Sequence, residues 1–169
     1  MKKLNNNGYK VVSLFSGAGG LDVGFVGAGF QILWANDFDR DSCETYRRNI
    51  GDHIHEASVY ELNYSSIPQT DVLIGGPPCQ GFSVAGKMDL EDNRNDLVWE
   101  YFNIVEKVKP KIFLFENVRA LGKLQKFSNF RKMIFSRISD IGYRAESKIL
   151  NSKNYETPQS RERFFIIGV

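Results

Sequence analysis

The chain repeats one pattern along its length: an apolar run too short for a helix, followed by a segment with helical spacing. The runs are Val11 to Phe15 (VVSLF), Gln31 to Ala35 (QILWA), Asp71 to Ile74 (DVLI) and Lys111 to Asn117 (KIFLFEN). Most of each run is continuous rather than alternating, as a strand buried on both faces requires. Helical spacing marks Leu21 to Ala28, Asp41 to Asn49, Asp96 to Val108 and Phe127 to Ile141, with Gly29, Pro110 and Gly142 closing the first, third and fourth. A weaker strand is expected around His53 to Ala57, and Asn63 to Thr70 reads as a short loop. Tyr143 to Leu150 and Arg163 to Val169 read as two final strands. Strands alternating with helices predict an α/β fold built on a doubly wound, mostly parallel sheet.

A length of 169 residues suits one domain. The net charge of +2 neither selects nor excludes nucleic acid. The start, MKKLNNNGYK, lacks the apolar core of a signal peptide, and no window approaches a membrane span. Cys43 and Cys79 are too few for a disulfide framework, so a reducing, cytoplasmic setting without a membrane is expected. His53 and His55 lack metal-ligand spacing, and no metal is expected.

Two segments carry candidate chemistry at strand ends. FSGAGG (Phe15 to Gly20) follows a strand and opens a helix, the setting for nucleotide-like ligands. Gly17 and Gly19 fit the first two glycines of a dinucleotide fingerprint, but Asp22 occupies the third position, which favours a ligand without a pyrophosphate. Asp37 ends the next strand, where it can accept both ribose hydroxyls, and Phe38 can cover an adenine face. The alternative is that the glycines only make a turn and Asp37 caps the following helix.

The second segment is GGPPCQGFS. Pro77 and Pro78 fix the backbone and deliver Cys79 just past a strand end, a place for a nucleophile, whereas Cys43 reads as plain packing. Glu116 ends the neighbouring run and should project into the same crevice; its alternative role is to cap a turn. In TPQSRERFF, Arg161 and Arg163 share one side of a strand-like segment, as a guanidinium pair for phosphate or a polarised carbonyl, or as a solvated edge.

Together FSGAGG, WANDFD, GGPPCQGFS, ENV and QSRER, in this order from about Val11 to the end, resemble the cytosine-C5 DNA methyltransferase family. The resemblance implies the S-adenosylmethionine-dependent methyltransferase fold with an antiparallel final strand. It also implies S-adenosyl-L-methionine as cofactor, double-stranded DNA as partner, and a restriction–modification role. Phe15, Ser16, Gly17, Ala18, Gly19, Gly20, Leu21, Asp37, Phe38, Ser58, Val59, Pro77 and Leu97 would bind the cofactor. Ser58 stands where the family usually has an acid. Cys79 would add to carbon 6 of a flipped cytosine, Glu116 would engage ring nitrogen 3, Arg161 the base carbonyl, and Arg163 would support Glu116. Gln80, Ser83, Lys87 and Arg94 match the loop that closes over DNA.

The chain ends in RFFIIGV, a run expected inside a sheet, so it reads as abbreviated. Residues 1–169 are therefore expected to form an incomplete catalytic and cofactor-binding domain without a target-recognition region. The remainder would come from a longer chain or from a second polypeptide. A transfer-RNA cytosine-C5 methyltransferase and a non-catalytic assembly subunit are the alternatives.

Overall fold

The computed structural model describes residues 6–78 and 96–169. The apolar runs become β1 (Lys10–Leu14), β2 (Gln31–Asp37), β4 (Val72–Gly75) and β5 (Ile112–Val118). The short β3 (Ile54–Glu56) and the late pair β6 (Ala145–Asn151) and β7 (Glu162–Gly168) complete one sheet of order β3-β2-β1-β4-β5-β7-β6. β1 to β5 run parallel, and β7 lies antiparallel to both β5 and β6, as the resemblance implied.

Neighbouring residues in each strand turn to opposite faces, so each continuous run feeds two cores. Val11, Val72 and Ile74 pack with Cys43 and Tyr46, on the side covered by α1 (Gly20–Gly27) and α2 (Arg40–Asn49). Val12, Leu14, Leu73, Phe113 and Phe115 face α3 (Asp96–Val108), the short α4 (Arg119–Lys123) and α5 (Ser128–Asp140). The Tyr101 hydroxyl, fully buried in this second core, donates to Leu114 O at 2.9 Å, which meets its hydrogen-bonding requirement.

Among the described residues, the covering on the α1–α2 side stops before the far edge of the sheet. Leu114 packs beneath it, but Ile167, opposite Leu114 on β7, is half exposed. Leu150, Phe165, Ile167 and Val169 line an open cavity of about 660 Å3 there.

Two expectations shift. Phe15 is not the last strand residue: β1 ends at Leu14, and Phe15 turns out of line with a left-handed φ of 52°. The segment expected as a plain loop contains a 3-10 turn, Tyr64–Ser66, and α4 was not anticipated. Elements of three to five residues are too short to show a period.

Candidate active site

A cleft opens beyond the carboxyl ends of the parallel strands, where an open α/β sheet binds ligands. At its centre the chain leaves β1 through Phe15 and two left-handed glycines, Gly17 (φ 54°) and Gly19 (φ 89°). Ser16 ties this turn to β2, its N–H donating to Asn36 O at 3.0 Å. The Gly17 N–H donates to Asp37 Oδ2 at 2.8 Å, and the Asp39 N–H to Asp37 Oδ1 at 2.9 Å. Asp37 is therefore not the cap of α2. That cap is Asp39, whose carboxylate accepts from the Ser42 N–H at 2.8 Å. With one donor on each oxygen, Asp37 keeps lone pairs for further donors.

Two cavities flank this turn. The first, of about 200 Å3, is lined by Phe15, Asp37, Phe38, Ser58, Val59 and Leu97. Tyr60, which the sequence did not single out, and Pro78, expected only to stiffen the approach to Cys79, also line it. Phe38 is 70% and Tyr60 59% exposed, beside an Asp37 that is only 9% exposed. Aromatic faces left in water next to a buried acid suit a nucleoside, whose base stacks and whose sugar donates.

The second cavity, of about 350 Å3, brings together Ser16, Gly20, Leu21, Gly76, Glu116 and Arg161. Phe15 borders both cavities. Arg163 Nε reaches Glu116 Oε1 at 2.9 Å from β7, while Arg161 lines the cavity itself. Burial raises the Glu116 pKa, and the charges of Arg163 and Arg161 offset this only in part. The bare backbone of Gly76 faces the carboxylate: a Cβ there would stand 3.0 Å from Glu116 Oε2. Asn117, buried beside Glu116, donates to Pro77 O at 3.1 Å and accepts the Val118 N–H at 2.8 Å. The chain leaving β4 is thereby fastened next to Glu116 as far as Pro78.

Cys79, Gln80, Ser83, Lys87 and Arg94 lie outside the described residues. Of the remaining residues expected at the cofactor, Gly17, Ala18, Gly19 and Pro77 line neither cavity. Gly19 instead packs on Tyr46, and Pro78 takes the place expected for Pro77. Three residues of this cleft escaped the sequence reading as site residues. Asn117 left a signal, an amide following Glu116 at the end of an apolar strand. Asp22 left another, an acid where a third glycine would stand. Tyr60 left none, since its exposure is visible only in three dimensions.

The model of the C-5 cytosine-specific DNA methylase family matches residues 9–169. The type II methyltransferase M.NgoFVII of Neisseria gonorrhoeae is 40% identical over 98% of this chain and 45% of its own length. M.MthTI of Methanothermobacter thermautotrophicus is 42% identical over 94% of this chain and 48% of its own. An E. coli structure described as a prophage-encoded DNA modification methyltransferase superposes with a TM-score of 0.80 at 32% identity, covering 95% of this chain and 46% of the other. The chain thus spans about half the length of the relatives it matches.

Proposed function

This chain belongs to the C-5 cytosine-specific DNA methylase family, and on that premise we propose that residues 1–169 are the catalytic and cofactor-binding part of a DNA (cytosine-5)-methyltransferase of a restriction–modification system. Target recognition and the rest of the cofactor pocket are assigned to further polypeptide, either a continuation or a second subunit, since the relatives are about twice as long. The bare face over β6 and β7 is the surface offered to that polypeptide. No helix among the described residues is long and apolar enough to cross a membrane; the proposed setting is the cytoplasm, with double-stranded DNA as partner.

The residues fit S-adenosyl-L-methionine. Asp37 would receive the ribose hydroxyls, Phe38 and Phe15 would bracket the adenine beside Val59 and Leu97, and Ser16, Gly20 and Leu21 would take the amino-acid end. When bound, the cofactor supplies an electrophilic methyl group. The protein's own task is to make carbon 5 of cytosine nucleophilic. Cys79 Sγ forms a bond to carbon 6 of the extruded base, while Glu116 delivers a proton or hydrogen bond to ring nitrogen 3. Its raised pKa suits that exchange. Arg161 holds the base carbonyl and Arg163 keeps Glu116 in place. After methylation a base takes the carbon 5 proton, the sulfur–carbon bond breaks and the thiolate returns. Gln80, Ser83, Lys87 and Arg94 would meet the DNA backbone and the vacated stack.

One observation carries this reading: Glu116, braced by Arg163, stands against the Gly76–Pro78 exit that leads directly to Cys79. The test is incubation with duplex DNA containing 5-fluorocytosine and the cofactor, with the complementing polypeptide added. A covalent adduct lost in Cys79→Ala is expected. An adduct on transfer RNA but not DNA would reassign the substrate, and none on either would overturn the proposal.

A further inference from the structure

Only one of the eight residues of α1 is fully buried, and it is an acid, Asp22. Carboxylates are rarely enclosed unless paired. Here the Ser13 hydroxyl donates to Asp22 Oδ2 at 2.9 Å and the Tyr46 hydroxyl to Oδ1 at 2.8 Å. Both donors are neutral. The single basic group whose charge bears on Asp22, among the described residues, is His53, and that lies beyond the Tyr46 hydroxyl, 3.1 Å from it. Desolvation outweighs these contacts and raises the Asp22 pKa.

Asp22 and Ser13 line the 350 Å3 cavity together with Ser16, Gly20 and Leu21. Glu116, the other carboxylate lining it, already has Arg163 as ion-pair partner and feels the charge of Arg161. Among the described residues, Asp22 is the lining carboxylate without an arginine. A carboxylate held by hydroxyls in a partly dry cavity is electrostatically incomplete and gains most from an incoming cation.

We propose that Asp22 is a specificity-determining residue of this cavity, a fixed counter-charge that favours the positively charged sulfonium of S-adenosylmethionine over the neutral thioether left after transfer. The inference rests on the cofactor reading above. Both ligands carry the same adenosine and the same amino-acid ends and differ in the methyl group and in the positive charge it places on sulfur; Asp22 acts on the charge. Asp22 would thereby help product leave.

The test compares binding of S-adenosylmethionine and S-adenosylhomocysteine to the wild type, Asp22→Asn and Tyr46→Phe, each with the complementing polypeptide added, by NMR titration to millimolar ligand. Asp22→Asn is expected to weaken the sulfonium ligand about tenfold and the thioether less than about twofold, the loss of one screened charge contact. Tyr46→Phe, which keeps the charge, should leave the ratio unchanged. Equal weakening of both ligands by Asp22→Asn would reduce Asp22 to an anchor of α1 and overturn the inference alone. Failure of the wild type to bind either ligand would overturn the cofactor reading and this inference with it. Should Asp22→Asn not fold, carboxyl NMR of the wild type decides. The Asp22 titration should move to lower pH with the sulfonium bound and stay in place with the thioether; no difference between the two would overturn the inference.

Discussion

Gly17 and Gly19 both take left-handed φ values, 54° and 89°, in one turn, yet they should respond differently to replacement by alanine. A Cβ on Gly17 meets nothing within 4 Å among the described residues, whereas one on Gly19 would fall 2.9 Å from the Tyr46 ring and collide with Ile50. Gly17→Ala therefore carries the backbone cost alone, about 1 kcal/mol. Gly19→Ala carries that cost plus overpacking of about 1–3 kcal/mol, because the Tyr46 ring is fully buried and its hydroxyl is bonded to Asp22. At about 2–4 °C of melting temperature per kcal/mol for a chain of this size, Gly17→Ala should lose a few degrees and Gly19→Ala roughly two to four times as much. Urea and thermal unfolding followed by circular dichroism measure both. Equal losses, or a larger loss at Gly17, would refute the claim that Tyr46 stops directly beneath Gly19.

Arg163→Met removes the partner of a half-buried Glu116 and should cost roughly 1–3 kcal/mol at neutral pH. The Glu116 pKa should climb further, and because folding already favours its neutral form, the loss should shrink as the pH falls through the carboxylate range; urea midpoints against pH and carboxyl NMR read both effects. Asn117→Leu leaves Pro77 O unpaired, for a loss of about 1–2 kcal/mol in urea unfolding. Methyl transfer by the complemented protein should fall in that variant while cofactor affinity holds. Asp22 has a raised pKa, so the stability it contributes is greatest below the ordinary carboxylate pKa and is lost as the pH rises through the raised one. Asp22→Asn, neutral throughout, should flatten that acid-side profile of urea midpoints; a steeper profile would contradict the assignment.

The layered sheet was legible because each strand buried on both faces leaves a continuous apolar run too short for a helix, and these runs alternate with segments of helical spacing. Asp96 to Val108 is expected as a helix and forms α3 over the same residues. Phe15 was misread for a physical reason: its apolar side chain prolongs the run, while its backbone has already turned. The convergence of Glu116 and Arg163 depends on β7 pairing antiparallel with β5, which places Phe165 opposite Glu116 and Arg163 opposite Val118. Period-two alternation placed Arg161 and Arg163 on one side, but not against which strand. Hydrogen bonds between distant residues were least legible. Neither the Asn117–Pro77 bond nor the Asp22–Tyr46 bond has a local sequence signature, because each joins segments brought together only by the sheet.

Those bonds also explain how one cleft can hold three acids and give each a separate task. Asp37 is held by two backbone N–H groups, which orient it without neutralising it and leave lone pairs for ribose hydroxyls. Glu116 is held by an arginine, yet burial keeps its proton affinity up, which suits the proton exchange with a ring nitrogen proposed for it. Asp22 is held by hydroxyls, which place its charge but do not balance it, and that suits a cation. The neighbours rather than the residue type make the distinction, so exchanging the donors should exchange the properties. Ser13→Arg, if the chain accommodates it, would give Asp22 the partner type Glu116 has. Preference for the sulfonium ligand over the thioether should then fall as far as in Asp22→Asn, although the carboxylate is still there. A preference unchanged by that internal cation would mean that the charge of Asp22 never reached the ligand.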